Sequence, residues 1–104
     1  MNITSYTTIE SVPQVTTAQA NRLYDYPHLA IVHMHLQPGQ TIPVHTTPGD
    51  VAFYVLEGTP TIHIGDEERV CHVDELIDSP RAIPHAITNP SKTAARVLVI
   101  KQKA

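Results

Sequence analysis

The chain has 104 residues, of which 16% are charged, and a formal net charge of −3. That length suits one compact domain with a small core, and the sparse cations leave no basic stripe for a phosphate backbone, so no nucleic-acid partner is expected. No apolar run approaches the roughly 20 residues that cross a bilayer, and the start MNITSYTTIE lacks the charged and apolar regions of a secretory signal, which predicts a cytoplasmic protein with no membrane partner.

Nine prolines, seven histidines, one cysteine and no tryptophan are the unusual counts. Proline at that density breaks helices, because each ring fixes φ and removes a backbone donor, and the expectation moves to an all-β chain. Residues 1–27 read as an N-terminal arm, with a short strand at 2–9 and a turn of helix at 16–22. In HLAIVHMHL, residues 28–36, Ala30, Val32, Met34 and Leu36 share one strand face, and Leu29, Ile31, His33 and His35 the other. Pro38-Gly39 ends that strand in a turn where glycine supplies the positive φ. A short strand covers 41–45, and TTPGD at 46–50 turns the chain again. VAFYVLE at 51–57 is dense in β-branched and aromatic residues and closes at Gly58. Residues 59–64 and 69–73 form a hairpin around a turn at 65–68. Leu76 and Ile77 make a short apolar pair before the bends at Pro80 and Pro84. Residues 85–88 are a brief strand closed by Asn89-Pro90, and AARVLVIK at 94–101 is the last strand. Short strands with turn signals roughly every 8–12 residues, and no helical segment, predict a β-sandwich or barrel.

Two segments carry a family resemblance. In GQTIPVHTTPGDVAFYVLEG, residues 39–58, Gly39, His45 and Gly58 stand at the spacing of the first cupin motif: glycine, five residues, His-x-His, three or four residues, glutamate, six residues, glycine. Thr47 stands where that motif has its second histidine and Val51 where it has glutamate. In the second motif Pro80, His85 and Asn89 match, while Asp74 and Ala82 replace the two glycines. The chain thus resembles a small cupin over about residues 28–101. The resemblance implies an all-β double-stranded β-helix, the jelly-roll barrel, as a single domain over 1–104 with its barrel core at 28–101 and 1–27 as the arm. It also implies a metal site of three histidines and one glutamate inside the barrel. Carried over residue by residue, only His45 and His85 remain as ligands for a divalent transition metal such as Zn, Fe, Mn or Ni.

Two imidazoles fall short of the three protein ligands usual at an open catalytic site. Asp50 adjoins the missing carboxylate, although a shift of one residue along a strand points a side chain to the other face. Cys71 has inward parity, and Thr47 offers a weak oxygen. Each has a structural alternative: His45 and His85 as a hydrogen-bonded inward pair, Asp50 as a turn cap, and Cys71 as a small buried hydrophobe. His33 and His35 form a possible second pair, set against the expectation that the face with Met34 and Leu36 is the inward one. His63 and His72 read as surface residues, and His28 has no evident task.

If His45 and His85 face inward, Val51, Phe53, Val55, Ile62, Ile64 and Cys71 share their interior. The expected pocket is mostly apolar with a few polar groups at one end, joined by Thr47 and by Arg81 over the mouth, unless these side chains simply fill the barrel. An outer face of Leu29, Ile31, Ala52, Tyr54 and Leu56, with unpaired strand edges, predicts a homodimer. Three functions remain open: a small-molecule binding module with a degraded metal site, a metal-dependent dioxygenase or isomerase using His45 and His85, and a metal-free enzyme with a histidine acid or base.

Overall fold

The computed structural model describes residues 1–8 and 18–103, and these contain strands and turns but no helix. In chain order the strands are β1 (Gln19–Tyr26), β2 (Leu29–Leu36), β3 (Thr41–His45), β4 (Val51–Glu57), β5 (Thr61–Ile64), β6 (Glu67–Val70), β7 (Leu76–Ser79), β8 (His85–Thr88) and β9 (Ala95–Gln102). They form a five-stranded sheet in the order β1-β2-β9-β4-β7 and a four-stranded sheet in the order β3-β8-β5-β6. Every pairing is antiparallel. Two facing antiparallel sheets linked in this way are the jelly roll that the motifs imply.

The core follows from strand alternation. Val32, Met34 and Leu36 on β2, Val51, Phe53 and Val55 on β4, and Val97 and Val99 on β9 are buried on the inner face of the larger sheet. Ile42, Ile62 and Ile87 belong to the same buried cluster from the smaller sheet. Cutting Phe53 to alanine removes the cluster's one aromatic side chain, a loss of about 3–5 kcal/mol by the usual cost of such cavities.

Three local expectations need correction. The arm contributes a full strand: residues 19–22 lie in β1, paired with β2 from Gln19↔His35 onward, so cross-strand pairing overrides the helix preference of Ala and Gln. Residues 16 and 17 lie outside the described part. Among the described residues of 2–9 there is a turn at 6–8, closed by Thr8 N donating to Ser5 O at 3.1 Å, and no strand; Ile9 lies outside. The hairpin turn is tighter than expected, because β6 begins at Glu67 and ends at Val70.

The second motif explains itself in backbone terms. Asp74 and Ala82 have φ of 70° and 66°, so the chain keeps a glycine-like conformation at both positions where glycine is replaced. For an ordinary side chain this conformation costs roughly 1–2 kcal/mol. Asp74 recovers part of it, since its Oδ1 accepts from Tyr54 OH at 2.9 Å. Ala82 has no such group. Buried Asn89 then ties the strands together, donating from Nδ2 to the carbonyls of Leu36 at 3.0 Å and Thr93 at 2.9 Å.

Candidate functional site

β3 and β8 pair with His45 opposite His85, and this register brings residues far apart in sequence into contact. The two Nε2 atoms lie 3.1 Å apart, with ring planes at 84°. His85 is buried, its ring set edge-on to Phe53 with centroids 5.2 Å apart, whereas His45 is exposed.

The partners fix the tautomers. His45 Nδ1 lies 2.9 Å from the Pro43 carbonyl, which only accepts, so Nδ1 carries the proton and the neutral ring offers Nε2 as an acceptor. His85 Nε2–H therefore donates to His45, leaving His85 Nδ1 to accept from the hydroxyl of buried Ser79 at 2.9 Å. A chain runs from Ser79 through His85 and His45 to Pro43, with each donor matched to an acceptor. Burial, with smaller contributions from neighbouring His45 when protonated and from Lys101, pushes His85 from 6.5 down to about 4, so its ring is neutral at pH 7.

The same geometry accommodates part of a metal's ligand shell. With metal–nitrogen bonds of about 2.0–2.1 Å, atoms 3.1 Å apart subtend roughly 95–100° at the ion, within the range of octahedral to tetrahedral sites. His45 already carries its proton on the distal Nδ1 and donates it to the Pro43 carbonyl, as a metal-ligating imidazole requires; His85 would have to change tautomer, its Nδ1–H then donating to the Ser79 hydroxyl oxygen. The donor set stops there: among the described residues no group of three His, Cys, Asp or Glu side chains could hold an ion. The pair fits two positions of a divalent site and leaves the others to water or ligand.

The other expected site residues lie elsewhere. Asp50 accepts from Arg81 N at 2.8 Å, and the Arg81 Nε stands 3.6 Å from the same oxygen, so Asp50 and Arg81 serve each other on the surface. The hydroxyl of Thr47 donates to Gly49 O at 3.0 Å within its own turn. Cys71 lines a separate pocket with Ile62, Ile64 and Ile77, and burial, aided by Glu75, raises its thiol pKa, which makes it unreactive. Val51 and Phe53 are buried inward as expected, and Phe53 alone of these six lines the cavity beside the histidines. His33 is engaged on the outer face: Arg96 Nη1 donates to His33 Nε2 at 3.1 Å, and the Tyr6 ring stacks on His33 at 3.9 Å.

The cavity at the pair is small, about 20 Å³, walled by Met34, Ile42, Phe53, Ile87 and Val99. It has room for about one water or one ion. A larger pocket of about 320 Å³ opens at one end of the barrel, between Arg22 and Asp25 of β1, Ala30 and Val32 of β2, the turn at Thr47 and Pro48, and the end of β9. Next to that turn Gly49 lets the chain pass close to the end of β9, because a Cβ there would meet Gln102 O at 1.9 Å. Lys101 lines both spaces and stands between them. Lys101 is not among the site residues the sequence suggests, although its parity with Val97 and Val99 carries the signal.

Two facing antiparallel sheets, with buried His85 meeting exposed His45 where β8 pairs with β3, define a jelly-roll barrel; the expectation that both rings face inward holds for His85 and not for His45. The sequence profile described as Cupin domain matches residues 32–101, and the chain belongs to the cupin family. Among solved structures, it resembles the polyketide cyclase RemF from Streptomyces resistomycificus, with a TM-score of 0.86 and 20% identity over 100% of this chain and 80% of that one. It also resembles a protein from Thermus thermophilus, with a TM-score of 0.83 and 25% identity over 99% and 98%. A third resemblance is to a predicted oxalate decarboxylase from Thermotoga maritima, with a TM-score of 0.86 and 16% identity over 99% and 100%. No curated protein matches the chain.

Proposed function

We propose that this cupin is a small-molecule binding module that receives its ligand in the end pocket, with His45 and His85 as its inner polar group and as a weak site for a divalent transition metal. One observation carries the reading: the two Nε2 atoms converge at 3.1 Å beside a cavity of about 20 Å³, while ligand-sized space lies just beyond Lys101. An organic ligand therefore sits in the outer pocket and presents one end to the histidines. An ion held there would supply a Lewis acid toward a ligand oxygen. Ser79 and the Pro43 carbonyl hold both rings in place, and the apolar wall of Met34, Phe53 and Val99 keeps bulk water from their inner side.

The test is metal analysis of untagged protein followed by titration with Ni²⁺ or Zn²⁺. Substoichiometric copurified metal, and added ion that binds weakly and is lost in His45→Ala, is the expected result. Near-stoichiometric Fe, Mn, Ni or Zn that disappears in His45→Ala would establish the metal-dependent enzyme instead. A second reading, a metal-free acid–base enzyme, is favoured by the fixed donor–acceptor chain from Ser79 to exposed His45. Turnover by metal-free protein that is abolished in His85→Ala would select it.

The proposed partner is a second copy. Leu29, Ile31, Ala52, Tyr54 and Leu56 remain half-exposed on the outer face of the larger sheet. Light scattering should give twice the 11.5 kDa of one chain. A monomer at micromolar concentration would exclude the dimer.

A further inference from the structure

The end pocket has an unusual charge arrangement. Arg22, Lys101 and Lys103 line it against one carboxylate, Asp25. That carboxylate is already engaged, since Lys103 Nζ donates to its Oδ1 and Arg22 Nη1 lies 3.4 Å from its Oδ2. Asp50, just outside, is held by Arg81. Lys101 is different. It follows Val97 and Val99 on the inward face of central strand β9, with Ala30 and Val51 as its neighbours across the sheet. Burial, and then the nearby Arg22 charge, holds its ammonium below the ordinary lysine range. Among the described residues the pocket's one carboxylate is taken up by Lys103 and Arg22, and a half-buried cation gains from an anion that pairs with it. The local surplus is notable in a chain whose net charge is −3.

The rest of the pocket limits the anion's size. Ala30, Val32 and Pro48 give a short apolar wall, and about 320 Å³ is at the low end of ligand sites. We propose that the end pocket binds a small organic carboxylate, its oxygens on Lys101 and Arg22 and its short aliphatic body against Ala30, Val32 and Pro48. This rests on the reading of the pocket as the ligand site and names the ligand's class. Lys101 then also fixes direction, because its position between the two spaces puts the carboxylate at the threshold of the histidine pair.

Butyrate and butyramide separate charge from shape, since they match in size and differ in the anionic group. Each is titrated into ¹⁵N-labelled, untagged protein at pH 7, following the amides of Val32, Thr47 and Lys101 and, separately, the ring signals of His45 and His85. Butyrate is expected to shift all of these and to bind about tenfold or more tighter than butyramide, as a charge-assisted contact allows. Lys101→Met should remove that preference, and Lys101→Arg should keep it. Arg22→Gln, on the exposed rim, should weaken butyrate several-fold and covers the case in which the buried variant does not fold. Equal binding of the two probes, or full affinity for butyrate in Lys101→Met, overturns the proposal. Butyrate that moves Lys101 but leaves both histidine rings unshifted upholds the carboxylate site and overturns the role given to the pair.

Discussion

His33 and His85 are both buried, and burial is the largest reason that each is pushed down to about 4. By that measure they are alike, yet they stand in opposite situations. His85 faces the interior, and its two nitrogens join a chain that ends at exposed His45. His33 lies on the outer face of the larger sheet under Tyr6, with Nε2 bound by Arg96 and Nδ1 without a hydrogen-bond partner among the described residues. A depressed pKa thus marks burial and does not by itself mark chemistry; what distinguishes a site is where the second nitrogen leads.

The comparison can be strained first through pH. Burial, then the charges of Arg96 and His35, lower His33, with Glu57 opposing them. Because the folded value is below the unfolded one, the unfolded chain takes up its proton first as pH falls. Stability due to neutral His33 is fully present above pH 6.5 and is lost as pH falls toward 4, a loss of about 3 kcal/mol. His33→Gln keeps an acceptor for Arg96 and removes the titration, so urea unfolding between pH 7 and 4.5 should show a shallower loss than wild type. An unchanged slope would mean that His33 is not buried under Tyr6 in solution.

A smaller effect sharpens the other side. Ser79→Ala leaves His85 Nδ1 without its donor, at a cost of about 1–3 kcal/mol for an unsatisfied buried group. Long-range ¹H–¹⁵N spectra of the rings should show a single His85 tautomer, protonated at Nε2, in the wild type and a mixture in the variant. A mixture already present in wild type would break the assigned chain. The smallest effect is a gain. Ala82→Gly should stabilise by about 1 kcal/mol, because it relieves a positive φ that no side-chain bond offsets, whereas Asp74→Gly also forfeits the Tyr54 contact and should gain less. Thermal unfolding of the two variants side by side checks the ranking.

Much of this was legible beforehand because strand parity is a strict rule. Alternation in residues 28–36 and 51–57 identified the buried face, and the family resemblance brought His45 and His85 to one site, whereas their direct pairing and the exposure of His45 follow from the register of β3 and β8. Parity says nothing about what covers the opposite face, so nothing in the sequence foretold that Tyr6 stacks on His33 and buries it there. Thr47 and Asp50 misled for a related reason. They sit in a turn, where side chains bond to nearby backbone or loop partners and no period predicts their direction. Lys101 obeys parity with Val97 and Val99, but parity alone does not say that a lysine's long side chain reaches a pocket.

The end pocket lies close to both ends of the chain. Gln102 and Lys103 line it, and Met1 to Thr4 border a neighbouring hollow that shares Asp25 with it. A histidine tag fused at either end would therefore bring extra imidazoles to the doorstep of the site under assay, which is reason enough to remove it. The same closeness makes the ends useful. A dye attached at Thr4, beside the neighbouring hollow, would be positioned to report occupancy of the pocket without replacing Lys101 or the histidines.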